Sequence, residues 1–134
     1  MLNYPQVALD FMNRDHAEFV AMRGQLMSLI AAQTPKNDVD TLLDELLAHT
    51  RDHFAEEEQL MLESQFPPYA MHKNEHEQVL ADMSAHIERW KHGRDIVALR
   101  DWLDKAVGDW FVTHIGTMDL VTAGFIKAQN KDQA

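Results

Sequence analysis

Three short breaks divide this sequence into four long segments, and each segment repeats apolar residues at the three- and four-residue intervals of an α-helix. The breaks fall at residues 34–37, 65–68 and 91–94, where proline or glycine interrupts the pattern. The predicted helices cover about residues 6–32, 38–63, 69–90 and 95–128. Because short connections join antiparallel neighbours, we predict an all-α protein, a single domain over residues 1–134 folded as an up-down-up-down antiparallel four-helix bundle.

Charge and hydropathy exclude several classes of protein. The formal net charge is −10, whereas a nucleic-acid partner requires a basic face, so we expect no nucleic-acid binding. No apolar run approaches the length of roughly 20 residues that a membrane span needs. Residues 1–15 have neither the basic nor the apolar region of a secretion signal, and we therefore expect a cytoplasmic protein.

Eight histidines and no cysteines narrow the chemistry that the chain can perform. The absence of cysteine excludes disulfides, thiolate catalysis and cysteine-ligated metal sites. On each apolar stripe a histidine interrupts the core face, and buried polar side chains need partners. A metal ion would satisfy several of them together.

Two pairs of side chains have the spacing of adjacent turns on one helix face. His53 and Glu57 are four residues apart, as are His72 and His76, so each pair can converge on one centre. Counted from the predicted helix ends, His16 lies level with His53, and His114 lies level with His72. The four helices therefore bring donors to one layer of the core.

The last helix offers a less regular pair. His114 and Asp119 are five residues apart, about 140° from a shared stripe on a regular α-helix. Gly116 lies between them and would permit either a close approach of another group or a local loosening of the turn.

The donor set is too large for one tetrahedral zinc ion. It comprises His16, His53, Glu57, His72, His76, His114 and Asp119. It suffices for two metals if the carboxylates bridge them, with an oxide or hydroxide as a third bridge. Three histidines then complete six ligands around one metal, and two histidines leave the other with five and an open position. Imidazole with carboxylate suits iron, and zinc, manganese or cobalt also fit this chemistry.

These residues resemble the motifs of the hemerythrin family in its single-domain bacterial form. Asp15-His16 is similar to the first-helix histidine motif, and residues 53–58 resemble the H-F-x-x-E-E segment. Residues 67–76 resemble the P-x-Y-x-x-H-x-x-x-H segment, and residues 110–119 resemble the closing W-x-x-x-H-I-x-x-x-D. The resemblance covers nearly the whole chain and fills all seven ligand positions.

The resemblance implies a protein that is not an enzyme and binds dioxygen reversibly, for storage, buffering or delivery. Its cofactor would be two iron ions in a non-haem di-iron centre with an oxo or hydroxo bridge. His72, His76 and His114 would hold the full iron, His16 and His53 the open one, and Glu57 and Asp119 would bridge them. We expect an apolar shell around the open site, formed by Phe19, Leu46, Phe54, Trp110 and Ile115.

Three other functions are alternatives for a chain of this pattern. A module that senses dioxygen or nitric oxide, or that handles iron, could use the same site through a protein partner that the sequence does not identify. A ferritin-like di-iron enzyme uses Glu-x-x-His pairs, and no histidine here has a glutamate three residues before it. A purely structural role for the histidines would not explain their matched depth.

The remaining candidates have simpler interpretations. His49, which stands where the family commonly has an aromatic residue, is predicted to be a hydrogen-bonded core or channel-lining residue rather than an eighth ligand. Glu56 and Glu58 are predicted to form a solvated acidic face, with Glu56 as the replacement ligand if the register is shifted. His86 and His92 are predicted on the surface.

Overall fold

The structure, a computed structural model, describes the backbone of residues 2–133 and the side chains of residues 2–129. Helix α1 covers Asp10–Ala31, α2 covers Lys36–Glu63, α3 covers Tyr69–Gly93, and α4 covers residues 96–133. Within residues 2–133 there is no β-strand. Short connections join consecutive helices, which pack against each other, and α4 packs against α1. The predicted all-α four-helix bundle is confirmed.

The first helix begins later than the sequence pattern predicts. Residues 6–9 are not helical, and α1 starts at Asp10. The Asn13 side chain accepts a hydrogen bond from Val7 N–H at 2.8 Å and donates one to Val7 O at 2.9 Å. Because these bonds satisfy the backbone of the buried Val7, the segment docks against the bundle without forming a helical turn.

Two other helix ends lie two or three residues from their approximate predicted positions. Helix α2 begins at Lys36, and the Asp38 N–H donates to Pro35 O at 3.0 Å in its first turn. Helix α3 continues through Gly93, and the left-handed residue that ends it is Arg94, with φ of 53°. A two-point contact of the Arg94 guanidinium with Asp40, at 2.6 and 2.9 Å, stabilises this connection.

The fourth helix is continuous but contains two π-helical stretches. It is α-helical over Ile96–Asp101, Gly108–His114 and Leu120–Gln133, and π-helical over Trp102–Val107 and Ile115–Asp119. At the first π-turn the buried Arg23 of α1 donates to Leu103 O at 2.8 Å and to Asp104 O at 3.0 Å. A π-turn disturbs the regular backbone ladder, and Arg23 satisfies carbonyls at that point.

The core is divided along the bundle axis. A large apolar cluster includes Leu26, Leu43 and Leu103, and a smaller one is formed by Met61, Phe66 and Ile126. Between them the histidines and carboxylates of the candidate site form a buried polar layer. None of the helices in residues 2–133 is both long enough and apolar enough to cross a membrane.

Candidate metal centre

All seven predicted ligand residues meet in the buried polar layer, and none is more than 8% exposed. They are His16 on α1, His53 and Glu57 on α2, His72 and His76 on α3, and His114 and Asp119 on α4. Each helix supplies at least one of them, so the centre exists only when the whole bundle is assembled. Their role as ligands remains a prediction.

The donor atoms form two sets, within each of which all atoms lie within 4.8 Å of one another. The larger, which we call the three-histidine set, comprises Glu57, His72, His76, His114 and Asp119. The smaller, which we call the two-histidine set, comprises His16, His53 and Asp119. This division matches the assignment of histidines that the family resemblance implies.

Glu57 directs one carboxylate oxygen towards each set. Its Oε1 lies 2.9 Å from His72 Nε2, and its Oε2 lies 3.2 Å from His53 Nε2. The side chain is completely buried.

Asp119 repeats the arrangement from the opposite side of the layer. Its Oδ1 lies 2.9 Å from His114 Nε2, and its Oδ2 lies 3.0 Å from His16 Nε2. Two buried carboxylates that each span both sets have the arrangement expected of bridging ligands.

The unpaired polar atoms of this layer match the requirements of metal ions. The Nε2 atoms of His53, His72, His76 and His114, both oxygens of Glu57 and Oδ1 of Asp119 are buried and have no hydrogen-bond partner among the described residues. Burial of unpaired polar atoms is costly, and atoms of this kind are normally satisfied by a ligand or ion. Imidazole nitrogens and carboxylate oxygens facing one another form a donor set that fits divalent or trivalent transition metals.

The two carboxylates attract positive charge to this layer. Burial opposes protonation of His72 and His114, but the neighbouring carboxylates outweigh it and raise the pKa of His72 to about 9 and that of His114 to about 10. Burial and the charges of those two imidazoles lower the pKa of His76 to about 2. Although burial opposes ionisation of Asp119, the close imidazoles of His114, His16 and His72 hold its pKa well below the usual value. The layer therefore favours cations, whether imidazolium or metal.

The second π-turn explains how Asp119 reaches the site. Over Ile115–Asp119 the Leu120 N–H bonds to Ile115 O, so the turn contains one residue more than an α-helical turn. A Cβ added at Gly116 would meet no atom within 4 Å, which shows that no group approaches this glycine closely. The local loosening of the turn is confirmed, and the alternative of a close approach at Gly116 is wrong.

The structure reveals carboxylates that hold the ligand histidines from behind, which the sequence analysis missed. Each accepts a hydrogen bond from the Nδ1 of a histidine, which leaves the Nε2 of that ring facing the centre. The pairs are Asp15 with His53 at 2.8 Å, Glu58 with His76 at 3.0 Å, and Glu75 with His114 at 2.7 Å. We call these three the supporting carboxylates.

Glu58 corrects a prediction. The sequence predicts that it forms a solvated acidic face with Glu56, but its carboxylate is bonded to His76 and its side chain is only 20% exposed. Glu56 is exposed, as predicted, and is not a replacement ligand. A sequence signal for the supporting carboxylates did exist, because each is adjacent in sequence to a predicted ligand of its own helix.

Within residues 2–129 the other two ligand histidines have no carboxylate behind them. His72 Nδ1 lies 2.9 Å from the Thr122 hydroxyl oxygen, which can accept a hydrogen bond from the Nδ1–H. His16 Nδ1 is buried and has no hydrogen-bond partner among the described residues. Aromatic rings surround His16 instead, with Tyr4 and Phe111 packed against it edge-on.

A small cavity of about 20 Å³ adjoins the two-histidine set. Such a volume holds about one water-sized molecule. Of the five residues predicted to form an apolar shell, Phe19, Phe54, Trp110 and Ile115 line the cavity, whereas Leu46 is buried elsewhere in the core. Phe111, which is not among the five predicted residues, also lines the cavity.

His49 lies at the edge of this cavity, as the sequence predicts for a hydrogen-bonded lining residue. Its Nε2 is 2.9 Å from Glu18 Oε2, and its side chain is 20% exposed. It belongs to neither ligand set. His92 is on the surface as predicted, whereas His86 is half-buried because its ring stacks on Trp102 with centroids 4.8 Å apart.

Comparisons with known proteins agree with this geometry. The family model described as the hemerythrin HHE cation binding domain matches residues 7–125. A bacteriohemerythrin of Aquifex aeolicus is 33% identical over 116 residues, which cover 84% of this chain and 86% of the relative. Bacteriohemerythrins of Ralstonia nicotianae and Stenotrophomonas maltophilia are 31% and 32% identical, covering 88% and 91% of this chain and 81% and 77% of theirs.

Proposed function

The chain belongs to the hemerythrin family, and we propose that it binds dioxygen reversibly at a non-haem di-iron centre, for storage, buffering or delivery. One observation carries the proposal: Glu57 and Asp119 each direct one oxygen to the two-histidine set and the other to the three-histidine set. This is the arrangement that two bridged metals require. Three histidines on one side and two on the other would leave one metal with an open position.

The residues that would hold the metals are the seven of the buried layer. His72, His76 and His114 would hold the full metal, His16 and His53 the open one, and Glu57 and Asp119 both. When bound, two ferrous ions supply the two electrons that dioxygen accepts on binding and recover them on its release.

The chain itself would control what reaches the open position. The cavity beside the two-histidine set is small, and the rings of Phe19, Phe54 and Phe111 line it. An apolar cavity of this size admits a small neutral molecule and disfavours water and ions, because they would lose their hydrogen bonds on entry. Exclusion of water favours release of dioxygen over its further reduction, so we expect no enzymatic turnover.

The lining is not wholly apolar. His49 and Asp15 stand at the outer edge of the cavity, where His49 pairs with Glu18 and Asp15 with His53. These bonds satisfy the Asp15 carboxylate and one ring nitrogen of His49, whereas the buried Nδ1 of His49 has no hydrogen-bond partner among the described residues. Cytoplasmic location remains part of the proposal and can be checked by cell fractionation.

Purification with ferrous iron under nitrogen, followed by cycles between air and nitrogen, tests the proposal. We expect two irons per chain and a visible absorption band that appears in air and disappears under nitrogen over repeated cycles. A single zinc ion per chain, or a band lost irreversibly at the first exposure to air, would contradict it. A change in partner binding on exposure to dioxygen or nitric oxide, without reversible storage, would favour the sensing alternative.

Two glutamate variants provide a matched comparison. Glu57→Gln removes the charge of a spanning carboxylate, whereas Glu56→Gln makes the same change on an exposed neighbour. We expect the first variant to lose metal and the absorption band and the second to retain both. Equal behaviour of the two would argue against the bridging role of Glu57.

A further inference from the structure

Each of the three supporting carboxylates lies on the helix that precedes the helix of its histidine. Asp15 of α1 holds His53 of α2, Glu58 of α2 holds His76 of α3, and Glu75 of α3 holds His114 of α4. Each helix thus supports a histidine of the next helix. A fourth pair of this kind would join a carboxylate of α4 to His16 of α1.

That last support is missing. The Nδ1 of His16 is buried without a hydrogen-bond partner among residues 2–129, and its Nε2 lies 3.0 Å from Asp119 Oδ2. The ring is placed by packing against Tyr4 and Phe111, which does not fix its rotation as a hydrogen bond would. His16, the histidine without such a carboxylate, lines the small cavity.

The supporting carboxylates also place unequal negative charge near the two sets. Glu58 and Glu75 stand behind the three-histidine set, and among the described side chains Asp15 alone stands behind the two-histidine set. Arg14 Nε lies 3.6 Å from Asp15 Oδ1 and offsets part of its negative charge. The three-histidine set therefore has both more anchored rings and more negative charge around it.

We propose that Asp15, Glu58 and Glu75 are positioning residues, which fix the ring orientation of three ligand histidines, and that their unequal distribution leaves the two-histidine set the more labile of two metal positions. Hydrogen bonds behind metal-binding histidines orient the ring and increase its basicity, and their loss typically weakens metal binding about 10- to 100-fold. The inference rests on the proposed di-iron centre but not on its reaction with dioxygen.

Release of iron to a ferrous chelator under nitrogen tests the order of lability. For the protein loaded with two irons, we expect two kinetic phases of equal amplitude, with the faster phase from the two-histidine set. Asp15→Asn should accelerate the fast phase at least tenfold and leave the slow phase unchanged. Glu58→Gln and Glu75→Gln should each accelerate the slow phase by a similar factor.

Exposed neighbours serve as controls for charge. Glu56→Gln and Glu77→Gln remove the same charge near Glu58 and Glu75 without contacting a ligand histidine. We expect both to release iron as the original protein does. A single phase in the original protein, acceleration of the slow phase by Asp15→Asn, or the same acceleration in the control variants would overturn the proposal.

Nitrogen NMR of the zinc-loaded protein separates positioning from a general loss of structure. We expect His53, His76 and His114 to carry their proton on Nδ1, and we expect Asp15→Asn to shift only the Nδ1 signal of His53. A variant that shifts all the histidine signals alike would contradict a positioning role. If two irons are released in the expected order but dioxygen does not bind reversibly, the proposed function fails and the positioning role stands.

Discussion

His114 and Asp119 are five residues apart on α4, yet Asp119 Oδ1 lies 2.9 Å from His114 Nε2. On a regular α-helix the two side chains would diverge by about 140°. The π-turn over Ile115–Asp119 adds one residue to the turn and returns Asp119 to the face of His114. π-turns are rare and are frequently found at functional sites, where they reorient a side chain in this way.

Alanine at Gly116 tests whether this turn needs glycine. Gly116 is exposed and an added Cβ would meet no neighbour, and the same holds for Gly124 in the regular part of α4. We expect Gly116→Ala and Gly124→Ala each to increase the free energy of unfolding by about 0.5–1 kcal/mol. Metal content should stay the same. Loss of metal from the Gly116 variant alone would mean that glycine is required for the π-turn.

Two histidines on one stripe of α2 should differ in their effect on metal content. His53 belongs to the two-histidine set, whereas His49 pairs with Glu18 at the cavity edge. We expect His53→Ala to reduce metal content from two ions per chain towards one, and His49→Ala to leave two. Elemental analysis of the two purified variants measures this directly. Equal losses would show that the ligand set is misassigned.

Removal of metal should destabilise the bundle, because the unpaired donor atoms of the buried layer would remain without ligands. A ligand present at a thousand times its dissociation constant stabilises the folded state by about 4 kcal/mol. For a domain of this size that corresponds to a change in melting temperature of about 10 °C or more. Calorimetry before and after treatment with a chelator checks the difference. Identical melting temperatures would contradict the metal assignment.

The stability of the metal-free protein should decrease at alkaline pH. The pKa values of His72 and His114 rise from 6.5 to about 9 and about 10 on folding. Because the folded state binds these protons more tightly, their stabilisation is complete below pH 6.5 and is lost as the pH rises through about 9 to 10. Urea unfolding from pH 6.5 to 10 measures the decrease. Metal binding displaces these protons, so the loaded protein should lack this loss, and constant stability of the metal-free form would contradict the prediction.

Arg23 should matter for stability and not for metal content. Its guanidinium donates to Leu103 O and Asp104 O at the first π-turn, and hydrogen bonds to charged groups contribute about 1.5–3 kcal/mol each. We expect Arg23→Ala to reduce the free energy of unfolding by about 2–4 kcal/mol, measured with urea. Arg89→Ala, an exposed control on α3, should change it by less than about 0.5 kcal/mol. Equal effects of the two would mean that Arg23 does not hold the π-turn.

Much of this protein could be predicted from its sequence. Apolar periodicity and three breaks determined the four-helix bundle, because a helix with one apolar stripe must bury it against its neighbours. The four-residue spacing of His53 with Glu57 and of His72 with His76 determined that each pair faces one centre. These inferences are local, since helix geometry alone fixes the relative direction of residues one turn apart.

Only the tertiary structure decided the relationships between helices. Packing between segments decides the π-turn that ends at Asp119 and the hydrogen bonds of Asn13 with Val7. The periodicity of one segment carries no information about that packing. The support of His76 by Glu58 is likewise a contact between two helices, and adjacency to Glu57 does not distinguish Glu58 from the exposed Glu56. The sequence determined which residues face the core. The packing of four helices decided which of the remaining polar residues hold the ligand histidines in place.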